Sequence, residues 1–193
     1  MRVTLIFLST IIGISGVVLY AISIVNGKTR PHRMTRFILF FILTLNFVSI
    51  VAAKGNLGAV IYAGLTCAYG GILFAMSLWR GMGGKNRLDF ICLGIASLGI
   101  IGWKLTGNAI VGVWFAILAD LAAYIPAFVK TWEFPETESH WLYTLSIFAA
   151  GLGLFAYPIE AQSIFQIYIV VASAAMLVVI YHKQIAKLTG SKA

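Results

Sequence analysis

Residues 108–141 read NAIVGVWFAILADLAAYIPAFVKTWEFPETESHW, and the fold follows from how this stretch is read. Its first two thirds are apolar enough for a membrane helix, about the twenty residues needed to cross roughly 30 Å of hydrocarbon. One acid, Asp120, lies near the middle, and Pro126 lies near the end. A short charged loop then turns into the next apolar segment. An ionisable group inside a lipid-spanning helix is costly, so Asp120 is the first candidate for function.

The rest of the chain repeats this character. Of 193 residues, 61% are hydrophobic and 10% charged, and the mean hydropathy is +0.96. A water-facing surface cannot be made from so few polar residues. Seven spans are expected, at about 3–25, 35–53, 57–79, 88–103, 108–129, 139–157 and 161–181. None has the alternation of a barrel strand. The first is too long for a signal-peptide core and is followed by a basic loop, VNGKTRPHR, instead of a small-residue cleavage site.

The net charge of +8 sits in short loops, so it reports topology and gives no reason to expect nucleic acid. With the N-terminus outside, the inside loops and tail hold Lys28, Arg30, Arg33, Arg36, Arg80, Lys85, Arg87, Lys130, Lys183, Lys187 and Lys192. Only Arg2, Lys54 and Lys104 remain outside. That asymmetry predicts an N-out, C-in protein, with the cell membrane as its expected place. Cys67 and Cys92 fall in separate spans and read as small core residues. His32, His140 and His182 are scattered without metal-ligand spacing. No metal or cofactor is expected.

A shift of 104 residues lays the first three spans on the last three, with span four left over. Tyr20 then falls on Tyr124, Pro31 on Pro135, Thr35 on Ser139 and Phe37 on Trp141. The pattern P-x-x-x-[ST]-x-[FW] therefore occurs twice, each time in an inside loop entering the second helix of a triplet. Proline suits the turn, Ser or Thr can cap the next helix, and the aromatic suits an interface. The expected fold is all-α, with seven transmembrane helices as two parallel three-helix repeats joined by a linker helix (3+1+3). The parts are residues 1–79, the linker 80–104, residues 105–183 and a cytosolic tail 184–193. Parallel repeats are one way to build a carrier with its site at the midplane.

Tyr124-Ile125-Pro126-Ala127, followed by Lys130, Pro135, Glu138, Ser139 and Trp141, resembles the Y-x-P-Q motif and loop of the PQ-loop and SWEET superfamily of small carriers. The 3+1+3 plan extends the resemblance over nearly the whole chain. Two departures stand out. Ala127 replaces the glutamine of the name-giving pair, and the first copy has Ile22-Ser23 there. The resemblance implies alternating access with the motif proline as a hinge, which only Pro126 can supply here.

The residues themselves suggest a site. Ala116, Ile117, Ala123 and Tyr124 share the face of Asp120, and small residues allow close packing that turns the acid toward the bundle. There it could exchange a proton or bind a cationic group. Pro126 removes a bond to the carbonyl of Ala122 one turn away and should kink the helix. Asn46 is the deepest polar residue of span two. Tyr62 and Tyr69 of span three match Gln166 and Ser173 of span seven through the repeat, and the resemblance implies that third helices line a pocket. Trp114 and Tyr124 could stack on a solute ring. Gly64 and Gly71 read as packing, and Glu133, Glu136 and Glu138 as a solvated face.

A small-solute transporter is the expected function, for a sugar, amino acid or vitamin. Its partners would be the lipid bilayer, a polar solute and protons coupled through Asp120. A non-transporting receptor or assembly scaffold on the same fold is the alternative. A membrane-embedded enzyme is less favoured, because no paired acids or nucleophile–base spacing appears. Nor does the last span carry a lysine within it for a retinal Schiff base.

Overall fold

The computed structural model describes residues 2–52, 54, 57–106, 109–156 and 161–188. Within them the chain forms seven α-helices. These are α1 (Arg2–Val25), α2 (Arg33–Ala52), α3 (Leu57–Arg80), α4 (Arg87–Thr106), α5 (Ala109–Glu133), α6 (His140–Ala156) and α7 (Ala161–Leu188). A 3₁₀ turn, Pro135–Thr137, precedes α6. Among the described residues there is no β-strand beyond one isolated bridge, His32 to Met82. The tail expected from residue 184 instead begins inside α7, which continues to Leu188. Two segments, Thr4–Val25 and Ile164–Ile185, are by length and composition able to cross a membrane.

The helices pack in a closed order. In the first triplet α3 touches both α1 and α2; in the second α7 touches both α5 and α6. Between triplets α1 packs on α6 and α5 on α2, so the six run α1–α3–α2–α5–α7–α6 and back to α1. Helix α4 lies outside this ring against α5 and α2. Both triplets thus place their third helix between their first and second.

Small residues bring these helices together. Ala119, Ala122 and Ala123 of α5 are buried against Ile38 of α2 and Ala96 of α4. A Cβ on Gly16 would lie 3.1 Å from Leu145 Cβ, so α1 and α6 approach closely there. Gly64 and Gly71 do face α2, against Phe47 and Phe40. Close backbone approach supplies the dispersion contacts that hold apolar helices together without help from water. A second core joins Tyr20 and Ile24 of α1, Leu73 of α3, Ala127 of α5, Leu142 and Tyr143 of α6, and Met176 and Ile180 of α7. The outward faces stay apolar, with Phe7, Leu65, Leu98, Leu105 and Phe155 all exposed.

Candidate functional site

Three loops converge at the end of the bundle that carries the basic segments. The Arg30 N–H donates to the carbonyl of Thr137 at 2.8 Å, which ties the α1–α2 loop to the α5–α6 loop. The Met82 N–H donates to the Pro31 carbonyl and the Arg33 N–H to the Met82 carbonyl, which adds the α3–α4 loop. The two copies of the proline pattern therefore meet. Pro31 and Pro135 are buried, as are Thr35 and Ser139, while Phe37 and Trp141 are exposed. The expected capping differs between them. Ser139 directly precedes α6. Thr35 lies inside α2, and His32 takes the position before that helix, its Nδ1 3.5 Å from the Thr35 amide.

The acids of these loops divide by burial. Glu133 and Glu136 are exposed, as expected of a solvated face. Glu138 is not: it is buried with Lys130, and their Oε2 and Nζ are 2.6 Å apart. The Lys130 ammonium also donates to the Thr137 carbonyl, and the Tyr143 hydroxyl donates to Glu138 Oε1 at 3.4 Å. A buried ion pair persists only if its remaining donors and acceptors find partners, and these bonds supply one more to each member. The motif spacing brings both charges to one point, because eight residues span the last turn of α5 and the 3₁₀ turn.

The first copy is held by a different pair. His32 Nε2 lies 3.4 Å from Asp89 Oδ1, and both side chains are buried. Asp89 Oδ2 accepts from the Gly84 and Asn86 amides at 3.0 Å each, closing the loop into α4. Gly83, with φ +73°, is required here, since a Cβ would lie 2.2 Å from His32 Nε2. Burial pushes the His32 imidazole below its ordinary pKa; Asp89 opposes that and Lys130 adds to it. A cavity of about 210 Å³ adjoins both pairs, lined by His32, Asp89, Asn86, Lys130 and Pro126 among others.

Farther into the bundle, Asp120 Oδ2 accepts a hydrogen bond from the Tyr168 hydroxyl of α7 at 2.7 Å. The acid does turn toward another helix. Tyr124, one turn on, has Asp120, Arg36, Tyr69 and Glu138 as its electrostatic neighbours. The Arg36 guanidinium stacks over the Tyr20 ring, 4.5 Å from its centroid. A line of polar groups therefore runs from Asp120 and Tyr168 through Tyr124 and Arg36 to the Glu138–Lys130 pair. Chemically it offers a carboxylate, a guanidinium and several hydroxyls within an apolar wall.

The expected site residues are only partly gathered. Asp120, Tyr124 and Tyr69 join this line. Ser173 is buried on α7. Gln166 packs instead on α6, where a Cβ on Gly153 would meet its Nε2 at 3.0 Å. Asn46 is half-buried on α2. Trp114 is 54% exposed and faces out of the bundle, because six residues along a helix is a large rotation away from Asp120. The Tyr62 side chain lies outside the described residues. Pro126 is buried, and α5 continues through it to Glu133.

Sequence reading missed Tyr168, Arg36, Tyr143 and the His32–Asp89 pair as site residues. A tyrosine inside an apolar helix is itself a signal, since a buried hydroxyl usually has a partner. In the sequence Arg36 reports only topology, and Lys130 reports topology and the motif resemblance without its partner Glu138 being legible as one. Among the described residues no group of three metal-ligating side chains occurs. Comparison of the chain with protein families, curated proteins and solved structures found no match.

Proposed function

We propose that the chain spans the membrane seven times, N-terminus outside, and carries a small polar solute by alternating access. The observation that carries this reading is the shared packing order. Each triplet sets its third helix between its first and second, and the first helix of each meets the second of the other. Two like half-bundles around one interior are what a rocking carrier needs. The apolar outer faces of all the helices support the membrane placement, since exposed apolar surface of that extent marks contact with lipid or a partner. The resemblance of Tyr124-Ile125-Pro126 and the paired loops to the PQ-loop and SWEET carriers agrees with it.

In this reading the basic end is closed. The Arg30–Thr137 bond, which ties the α1–α2 loop to the α5–α6 loop, holds it shut, and Pro126, whose missing N–H weakens α5, is the hinge. Asp120 receives the solute or a proton, with the Tyr168 hydroxyl as its partner in the closed state. The test is proton uptake in proteoliposomes with a pH dye inside and a panel of sugars, amino acids and vitamins outside. A solute-dependent signal that Asp120→Asn abolishes is expected. A signal unchanged in the variant removes Asp120 from the mechanism. Solute binding without any flux, by counterflow as well, replaces the carrier with a receptor.

A further inference from the structure

Four cations of the basic end are engaged by other groups of the protein. Arg33 donates to the Ser77 carbonyl, Arg36 stacks on Tyr20, Lys130 pairs with Glu138, and Lys183 donates to the Glu133 carbonyl. Arg30 and Arg80 are placed differently. They come from the α1–α2 loop and the last turn of α3, fifty residues apart, and they flank one open cavity of about 320 Å³. Trp79, Gly27 and Gly81 complete its wall. Among the described residues no acid lines it, and neither arginine pairs with a carboxylate.

The local backbone is arranged to keep the arginine there. Gly27 adopts φ +72°, a left-handed turn that favours glycine, and the Arg80 guanidinium lies over it, its Nη1 2.9 Å from where a Cβ would stand. The Arg80 guanidinium also sits 4.3 Å from the centroid of the Trp79 ring, which fixes its plane. Trp79 itself is 64% exposed. On the membrane reading above, an exposed tryptophan at a helix end sits at headgroup depth, and Ile22, Val25 and Leu78, near the same ends of α1 and α3, are exposed to the acyl region. Two guanidinium forks over a solvent-open hollow suit a phosphodiester, which they can bond bidentately.

We infer that the cavity between Arg30, Arg80 and Trp79 binds the phosphodiester headgroup of an anionic phospholipid in the leaflet at the basic end. The proposal rests on the membrane placement proposed above. Carbonate-resistant insertion into pure phosphatidylcholine vesicles tests that placement separately, so a protein that inserts but shows no headgroup preference loses this site alone.

The experiment follows thermal unfolding of the detergent-solubilised full-length protein during titration with dioctanoyl phosphatidylglycerol, dioctanoyl phosphatidylcholine or inorganic phosphate. Phosphatidylglycerol should half-saturate at a concentration about tenfold or more below phosphatidylcholine. The double variant Arg30→Gln/Arg80→Gln should erase that preference, and Lys183→Gln should leave it intact. If the double variant does not fold, Arg30→Lys/Arg80→Lys decides: it keeps the charge, loses the forks and should show an intermediate preference. Equal half-saturation for the two lipids, or an undiminished preference in the arginine variants, overturns the site. Full stabilisation by inorganic phosphate alone overturns the lipid and makes the ligand a soluble phosphate.

Discussion

The two proline loops have the same burial pattern but are secured by different charges. Pro31 and Pro135 are buried, Thr35 and Ser139 are buried, and Phe37 and Trp141 face outward. Yet the second loop is closed by Lys130 and Glu138, two charges from α5 and the loop that follows it. The first is closed by His32 against Asp89, which belongs to α4. Backbone shape needs only proline, a small polar residue and an aromatic at fixed spacing. Buried charge needs a partner within a few ångströms, and any element that reaches the spot can supply it. Matched backbone can therefore carry unlike electrostatics. The first loop is joined to α4 through an imidazole whose pKa burial lowers; the second is joined to a buried ammonium–carboxylate pair.

The contrast is open to direct attack. The largest effect is expected from Glu138→Ala, which leaves the Lys130 ammonium buried without its carboxylate. A loss of about 3–5 kcal/mol is typical for one partner of such a pair, read as a lower denaturant midpoint. The joint variant Lys130→Met/Glu138→Leu should recover most of it, because the uncompensated charge is gone. Asp89→Ala comes next, at roughly 1–3 kcal/mol, since the Gly84 and Asn86 amides lose their acceptor. A larger loss for Asp89→Ala than for Glu138→Ala would reverse the ranking of the two loops.

Third is the pH dependence. Burial lowers the His32 pKa below its value in the unfolded chain, so the unfolded state takes up the proton first as pH falls. Stability from this group is complete above the ordinary imidazole value of about 6.5 and declines as pH drops through the folded pKa. The melting temperature should therefore fall more steeply between about pH 7 and pH 5 in the wild type than in His32→Gln. Equal slopes would detach the imidazole from the first loop's behaviour. A smaller effect belongs to Tyr168→Phe, which removes one bond between α5 and α7. About 0.6–2 kcal/mol is expected for a single interhelical bond of this kind. Smallest is Glu136→Gln on the exposed turn, where no shift in melting temperature is expected. A clear loss there would mean that the outer acids also help to secure the second loop.

Much of the helical plan was legible locally. Apolar runs of about twenty residues, each ended by a basic or proline-bearing loop, correspond to seven helices within a few residues, except that α7 continues past its expected end at 181 to Leu188. Pro126 did not end its helix: Ala122 and Ala123 before it pack with α2 and α4, and Ala127 after it packs in the core with α1, α6 and α7. The acid at residue 120 stood out for its setting alone. Its partner did not, because Tyr168 is 48 residues away and nothing in the spacing of α7 points one tyrosine rather than another at α5. Trp114 looked equally suitable by proximity in sequence, and its rotation around α5 excluded it.

The sequence by itself determined which segments are helices, where the basic end lies and that an acid sits within an apolar helix. These follow from hydropathy, charge and short-range sterics, which act over one or two turns. Only the tertiary structure decided that Glu138 is buried with Lys130, that His32 meets Asp89, that Tyr168 meets Asp120 and that Arg30 meets Arg80 around a hollow. Each depends on distances of a few ångströms between residues on different elements. The packing of small residues at the helix crossings sets those distances, and hydropathy is blind to them.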